Sequence, residues 1–238
     1  MKGLIIALQF LTRLPMPGVP VDSASFAASM RWFPVAGLAV GGIVAGAFWL
    51  GTHFDPWMAA LGGLVAWVWV TGALHLDGLS DLADARGAAH RDPERLLAVM
   101  TDPHVGSFGV IALVVQLIAK LVLLHLLPPA QWVALLLIPA VARIAPLAWT
   151  RWLPSLHAGL AERFIGVASL PVLMVWAVGW TFACWFVPAL LIAPLLILWW
   201  GLWLRQRLGG VSGDCLGAGI ELVETGLLIA VVLWTGLA

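Results

Sequence analysis

Charge is what this chain has least of. Among 238 residues there are 12 basic and 12 acidic side chains, which balance to a net charge of zero. A soluble domain averages about 25% charged and roughly 45–50% apolar residues. At 10% charged and 62% hydrophobic, with a mean hydropathy of +1.02, this is not a soluble globular protein. The balance of sign and the lack of any Lys/Arg run exclude a nucleic-acid partner. Tyrosine is absent, whereas 15 tryptophans are present, which suits extensive lipid-facing and interfacial surface. There are only two cysteines, Cys184 in an apolar stretch and Cys215 standing alone, so neither a disulfide framework nor a cysteine-based metal site is available.

What is present in quantity is long apolar sequence. A helix needs about 20 mainly apolar residues to cross the hydrocarbon core, and seven candidates meet that rule: approximately 34–53, 57–76, 107–127, 131–149, 168–186, 187–204 and 219–237. None alternates as a barrel strand would, and unpaired backbone groups are too costly in lipid, so the expected fold is an all-α, polytopic membrane bundle in a single domain, 1–238. The start, MKGLIIALQFLTRLPMP, has Gln9, Thr12 and Arg13 within its apolar stretch and no small-residue cleavage site; it reads as a retained amphipathic segment rather than a signal peptide. Pro188 divides 168–204 into two spans, although one long kinked helix with a re-entrant piece would read similarly.

Basic residues between the spans set an orientation, because cytoplasmic loops are enriched in Lys and Arg. Lys2, Arg13 and Arg31 precede the first span, Arg86, Arg91 and Arg95 follow the second, Arg151 and Arg163 follow the fourth, and Arg205 and Arg207 precede the last; the intervening loops have none. The alternation predicts an N-terminus inside and a C-terminus outside.

The acidic residues are gathered rather than spread. Residues 75–104 and 213–224, under a fifth of the chain, hold nine of its twelve acidic residues. In HLDGLSDLADARG, at 100° per residue, Asp77, Asp81 and Asp84 fall at about 0°, 40° and 340°, one helical stripe that continues from the second span. Like charges one turn apart repel, and in a partly dehydrated site a divalent cation is the usual remedy; a solvated acidic face is the other reading. In GDCLGAGIELVE, Asp214, Glu221 and Glu224 fall near 0°, 340° and 280°, with Gly217 and Ala218 on the same side. Two such stripes with small residues beside them could face each other and hold Mg²⁺ or Mn²⁺, since all-oxygen ligation disfavours Zn²⁺. Their place at the inner ends of spans suits a cavity open to the cytoplasm.

Between the windows, TDPHVGSFG places Asp102, His104, Gly106 and Gly109 at the opening of the third span. A glycine-preceded helix N-terminus suits a phosphate, or is a plain turn with a cap. His75 and His104 flank carboxylates and are candidate ligands, proton carriers or structural hydrogen-bonders. Arg31 and Arg143 match phosphate geometry and are candidate substrate clamps, Arg31 being equally readable as a topological anchor. Lys120 reads as snorkelling from the outer half of its span, and the tryptophans read as membrane surface.

Carboxylates that bind metal beside arginines at a membrane face point to phosphoryl chemistry. The stretch DGLSDLADARG partly resembles the signature of CDP-alcohol phosphotransferases, but the closing glycine and two aspartates of that signature do not follow. A resemblance covering nearly the whole chain is to the cobalamin (5′-phosphate) synthases, or adenosylcobinamide-GDP ribazoletransferases. It rests on ALQFLTRLP, RWFPVAG, HLDGLSDLADA, MTDPHVGSFGVIAL, ARIAP and GDCLGAGIELVE in that order. That family commonly has Lys and Ser where this chain has Thr101 and Pro103, which lessens the weight on side-chain contacts there.

The resemblance implies a multi-pass enzyme of the bacterial inner membrane with its active site facing the cytoplasm. It would be an Mg²⁺-dependent phosphotransferase for substituted phosphate groups. It would transfer adenosylcobinamide phosphate from adenosylcobinamide-GDP to α-ribazole or α-ribazole 5′-phosphate and release GMP. On it, Asp77, Asp81, Asp84 and Asp214 are the expected metal ligands, Glu221 and Glu224 further ligands or the base, and Asp102 and His104 aids to binding phosphate or metal. Arg31, Arg143 and Gly106 remain the expected substrate contacts. A cation-coupled transporter is the competing class, but no internal repeat is visible. The oligomeric state is left open, a homo-oligomer being one alternative.

Overall fold

The computed structural model describes residues 1–88, 96, 99–100 and 104–237. Asp102 therefore lies outside the described residues. The long helices are α1 (Lys2–Leu11), α2 (Ser23–Ser29), α3 (Phe33–Gly51), α4 (Pro56–Thr71), α5 (Leu74–Ala88), α6 (Ser107–Leu126), α7 (Trp132–Ala142), α8 (Ala145–Trp152), α9 (Leu170–Phe186), α10 (Ala193–Arg207) and α11 (Gly213–Leu237). Among the described residues the one β pairing is an isolated bridge between Ser155 and Val211. The chain is all-helical, as its apolar runs predict.

Among the described residues, five stretches are long and apolar enough to cross a membrane: Ser23–Gly51, Ser107–Leu126, Pro129–Trp152, Pro188–Arg207 and Gly213–Gly236. A sixth is reached if α4 and α5 count as one broken span, and α9 is apolar but has 17 residues. The expected unbroken span 57–76 is corrected. Helix α4 stops at Thr71, Gly72 adopts φ 59° and ψ 30°, and the N–H groups of Gly72 and Ala73 donate to Trp69 O and Val68 O. This is the Schellman ending that a left-handed glycine makes at low cost. The chain then turns through 84° into α5, so the first acidic stripe stands on its own helix rather than on the end of a span. The expected break near Pro188 is present: α9 ends at Phe186, and Pro188–Ile192 forms a 3₁₀ turn before α10.

Small residues set the packing. Helix α3 lies between α4 and α7, and a Cβ on Gly37 or Gly41 would run into the backbone of residues 135–140. In lipid, where apolar burial drives helices together only weakly, such close backbone approach is the main source of association. The outer surface is apolar: Val110, Ile111, Val114, Val115 and Ile118 are exposed along α6, and Val178, Phe182 and Trp185 along α9. The expectation that tryptophans are membrane surface holds only in part. Trp67, Trp149 and Trp200 are buried; the indoles of Trp149 and Trp200 donate to Ile197 O and Cys215 O, whereas the Trp67 N–H has no hydrogen-bond partner.

Candidate active site

The site forms where α5 crosses the start of α11. A Cβ on Gly78 would lie 2.9 Å from Asp214 Cα, and one on Gly217 would lie 3.3 Å from His75 Cα. Glycine at both positions lets the two backbones touch. The contact brings the first two aspartates of the α5 stripe beside Asp214 although about 130 residues separate them. Asp77 is exposed, Asp81 and Asp214 are half-buried, and Asp81 feels the charges of Asp77, Asp214 and Asp84. Asp214 accepts a 3.4 Å hydrogen bond from Ser212 Oγ, which also accepts from Cys215 N–H.

Asp77, Gly78 and Asp214 line a pocket of about 230 Å³. Its other walls come from the end of α1, the start of α3, Pro146 at the start of α8, and Leu160 and Phe164 from the segment after α8. Segments expected to share one side of the membrane thus converge on one cavity. The all-oxygen donor set suits a hard cation such as Mg²⁺. In the side-chain arrangement described, no group of three or more His, Cys, Asp or Glu among the described residues is gathered as a metal cage.

Several expected site residues are elsewhere. Asp84 faces α6 instead of joining Asp77 and Asp81: its carboxylate accepts from Gly106 N–H at 2.7 Å and Gly109 N–H at 2.9 Å. The α6 N-terminus expected to meet a phosphate is therefore already capped by an anion of the protein itself, as the helix dipole favours. Arg31 is exposed and lines a different groove, beside Trp32 and Trp176; its carbonyl accepts from the Trp176 indole. His104 is exposed just ahead of α6.

The largest correction concerns Glu221, Glu224, Arg143 and Lys120. Glu221 and Glu224 were expected to extend the Asp214 stripe, Arg143 to clamp substrate and Lys120 to snorkel. Instead all four are buried. Lys120 Nζ lies 2.8 Å from Glu221 and 2.7 Å from Glu224, and Arg143 lies 2.9 Å from the other oxygen of Glu224. Gln116 donates to Glu221 at 2.8 Å and the Lys120 ammonium sits 4.3 Å above the Trp67 ring. The network lies near the middle of α6 and α11, two to three helical turns beyond Asp214, or roughly 10–15 Å at 1.5 Å per residue. Two cations and two anions cancel there, which is what makes ionised groups tolerable at such depth. Its signal was legible in retrospect: Gln116 and Lys120 four residues apart on one apolar helix, and Glu221, Glu224 and Thr225 at matching spacing on another.

His75 links the two regions. Its Nδ1 is 3.4 Å from an Arg143 guanidinium nitrogen, it lines the pocket, and its Nε2 is buried with no hydrogen-bond partner.

The described residues thus form a helical bundle with membrane-length apolar helices and with carboxylates from two crossing helices lining one cavity, the architecture of a membrane protein. The family model described as cobalamin-5-phosphate synthase matches residues 3–232, and the chain belongs to that family. It is 60% identical to the adenosylcobinamide-GDP ribazoletransferase of Novosphingobium aromaticivorans, covering 100% of this chain and 98% of the relative. The proteins of the same name from Laribacter hongkongensis (55% identity, 100% and 99% covered) and Thiobacillus denitrificans (51%, 96% and 94%) are also similar. No solved structure matches the chain.

Proposed function

We propose that the chain joins adenosylcobinamide-GDP to α-ribazole or its 5′-phosphate, forming adenosylcobalamin or its 5′-phosphate and releasing GMP. The observation that carries the site is the Gly78–Asp214 contact, which sets carboxylates of two distant segments around one pocket. Asp77, Asp81 and Asp214 would hold Mg²⁺ or Mn²⁺. Held there, such an ion would supply neutralising charge for the pyrophosphate and the phosphorus under attack. A ribazole hydroxyl attacks the cobinamide-linked phosphorus, the P–O bond to GMP breaks, and the hydroxyl proton passes to a neighbouring aspartate. Glu224, with both oxygens engaged by cations, and Glu221, with one oxygen held by Lys120 and Gln116, serve to build the bundle rather than as ligands or base. Asp84 positions α6. The site faces the cytoplasm of the bacterial inner membrane, on the side where the arginines gather.

No phosphoenzyme is needed. Carboxylates engaged as ligands are poor nucleophiles, and Cys215 is buried with its N–H tied to Ser212. Asp77→Asn and Asp214→Asn should each abolish GMP release from the purified, folded protein, while Cys215→Ala retains most of it. Near-normal turnover by either asparagine variant at limiting Mg²⁺ would remove the shared site.

A further inference from the structure

The pocket beside Asp77 and Asp214 has one strongly aromatic wall. Phe10 at the end of α1, Phe33 at the start of α3 and Phe164 after α8 all line it. Their ring centroids lie 5.9 Å apart for Phe10 and Phe33, 5.5 Å for Phe33 and Phe164, and 6.3 Å for Phe10 and Phe164. Three segments remote in sequence thus supply one mutually packed set of rings. Phe33 and Phe164 are almost completely buried, so the wall is rigid.

Size narrows the occupant. Sites for drug-sized ligands run from about 300 to 1,000 Å³, so a cavity of about 230 Å³ admits one fused ring system and not a corrin. A guanine ring would bring several donors and acceptors to apolar walls, each costly to desolvate unpaired. A benzimidazole brings two apolar faces and one acceptor nitrogen.

A matching donor is present. Arginine can only donate, so the contact from Arg143 makes His75 Nδ1 an acceptor and leaves the proton of the neutral ring on Nε2. Among the described residues that Nε2–H is one of several buried polar side-chain atoms without a partner, and the one that belongs to a residue lining this pocket. An acceptor nitrogen on a bound base would satisfy it.

We infer that this pocket receives the benzimidazole ring of α-ribazole, packed against the edge-to-face pair Phe33 and Phe164, with His75 Nε2–H donating to the ring nitrogen not bonded to the sugar. The inference rests on the proposed reaction and adds which substrate occupies which part of the site. With the base so held, the ribose extends toward Asp77 and Asp214, where its hydroxyl is to react.

The test uses the full chain in detergent, with Phe164→Leu, Phe164→Ala and His75→Gln. Loss of an aromatic platform should raise KM for α-ribazole about tenfold or more in Phe164→Ala, while KM for adenosylcobinamide-GDP stays within about twofold of wild type. Free 5,6-dimethylbenzimidazole should inhibit competitively against α-ribazole and not against the GDP ester. A rise confined to the KM of the GDP ester, competition with that ester, or unchanged α-ribazole KM in all three variants overturns the assignment. Phe164→Leu preserves most of the packing volume, so it reports on the aromatic contact if Phe164→Ala does not fold. Equilibrium dialysis with radiolabelled dimethylbenzimidazole separates the two readings: should wild type lack turnover, the proposed reaction fails, yet binding lost in Phe164→Leu still supports the pocket. Absence of binding to wild type sinks it.

Discussion

At the scale of single residues, burial decided what each charge does. Lys120, Arg143, Glu221 and Glu224 lie in a dry interior where an unpaired charge is expensive, so both oxygens of Glu224 and one of Glu221 find a cation within 3 Å. Removing one member should cost more than the pair itself is worth, because the partners left behind stay buried and unbalanced. Lys120→Met is therefore expected to destabilise the protein by roughly 3–5 kcal/mol, read as a large drop in melting temperature in detergent. Adding Glu221→Gln should recover a good part of that loss, since glutamine can still accept from Gln116. Simple additivity of the two changes would show that the groups do not interact. The same reasoning explains why Asp84 left the metal stripe: two backbone N–H donors at the α6 start satisfy its carboxylate more completely than two neighbouring anions could.

At the scale of helices, close approach at glycine builds the site. The crossing of α5 over α11 depends on Gly78, where an added Cβ meets the Asp214 backbone at 2.9 Å. Backbone cannot yield as a flexible side chain can. Gly78→Leu should push the helices apart, separate Asp77 from Asp214 and abolish turnover, whereas Gly46→Leu, with nothing within 4 Å of its added Cβ, should be silent. Wild-type activity in Gly78→Leu would show that the crossing does not organise the site. The end of α5 is held as well, Arg86 lying 5.2 Å over the Trp203 ring of α10.

At the scale of the molecule, helix directions agree with the arginine pattern. Asp84 of α5 caps the start of α6, and Gly78 of the same helix meets Asp214 at the start of α11, so α6 and α11 begin at the same end of the bundle. That end also carries the pocket. With the pocket on the cytoplasmic side, a cysteine replacing Ala88 should resist an impermeant thiol reagent in intact cells, and one added after Ala238 should react. The native thiols are buried and contribute little background. The reverse labelling would overturn the orientation.

Composition alone determined that this is a helical membrane protein, because apolar runs of helical length have no other stable place. Periodicity alone grouped Asp77 with Asp81, and it marked the acidic stripes that begin α5 and α11 as the candidate site. It could not see that α4 breaks at Gly72, since a glycine in an apolar run is equally at home in a straight span. Nor could it tell which acidic residues meet water and which meet a cation. Asp214, Glu221 and Glu224 share a helix face at similar angles, yet two to three turns of depth put the first at a pocket and the others in a neutral network with Lys120 and Arg143. Angle around a helix is written in the sequence. The neighbours met at each depth belong to other helices, and only tertiary packing supplies them.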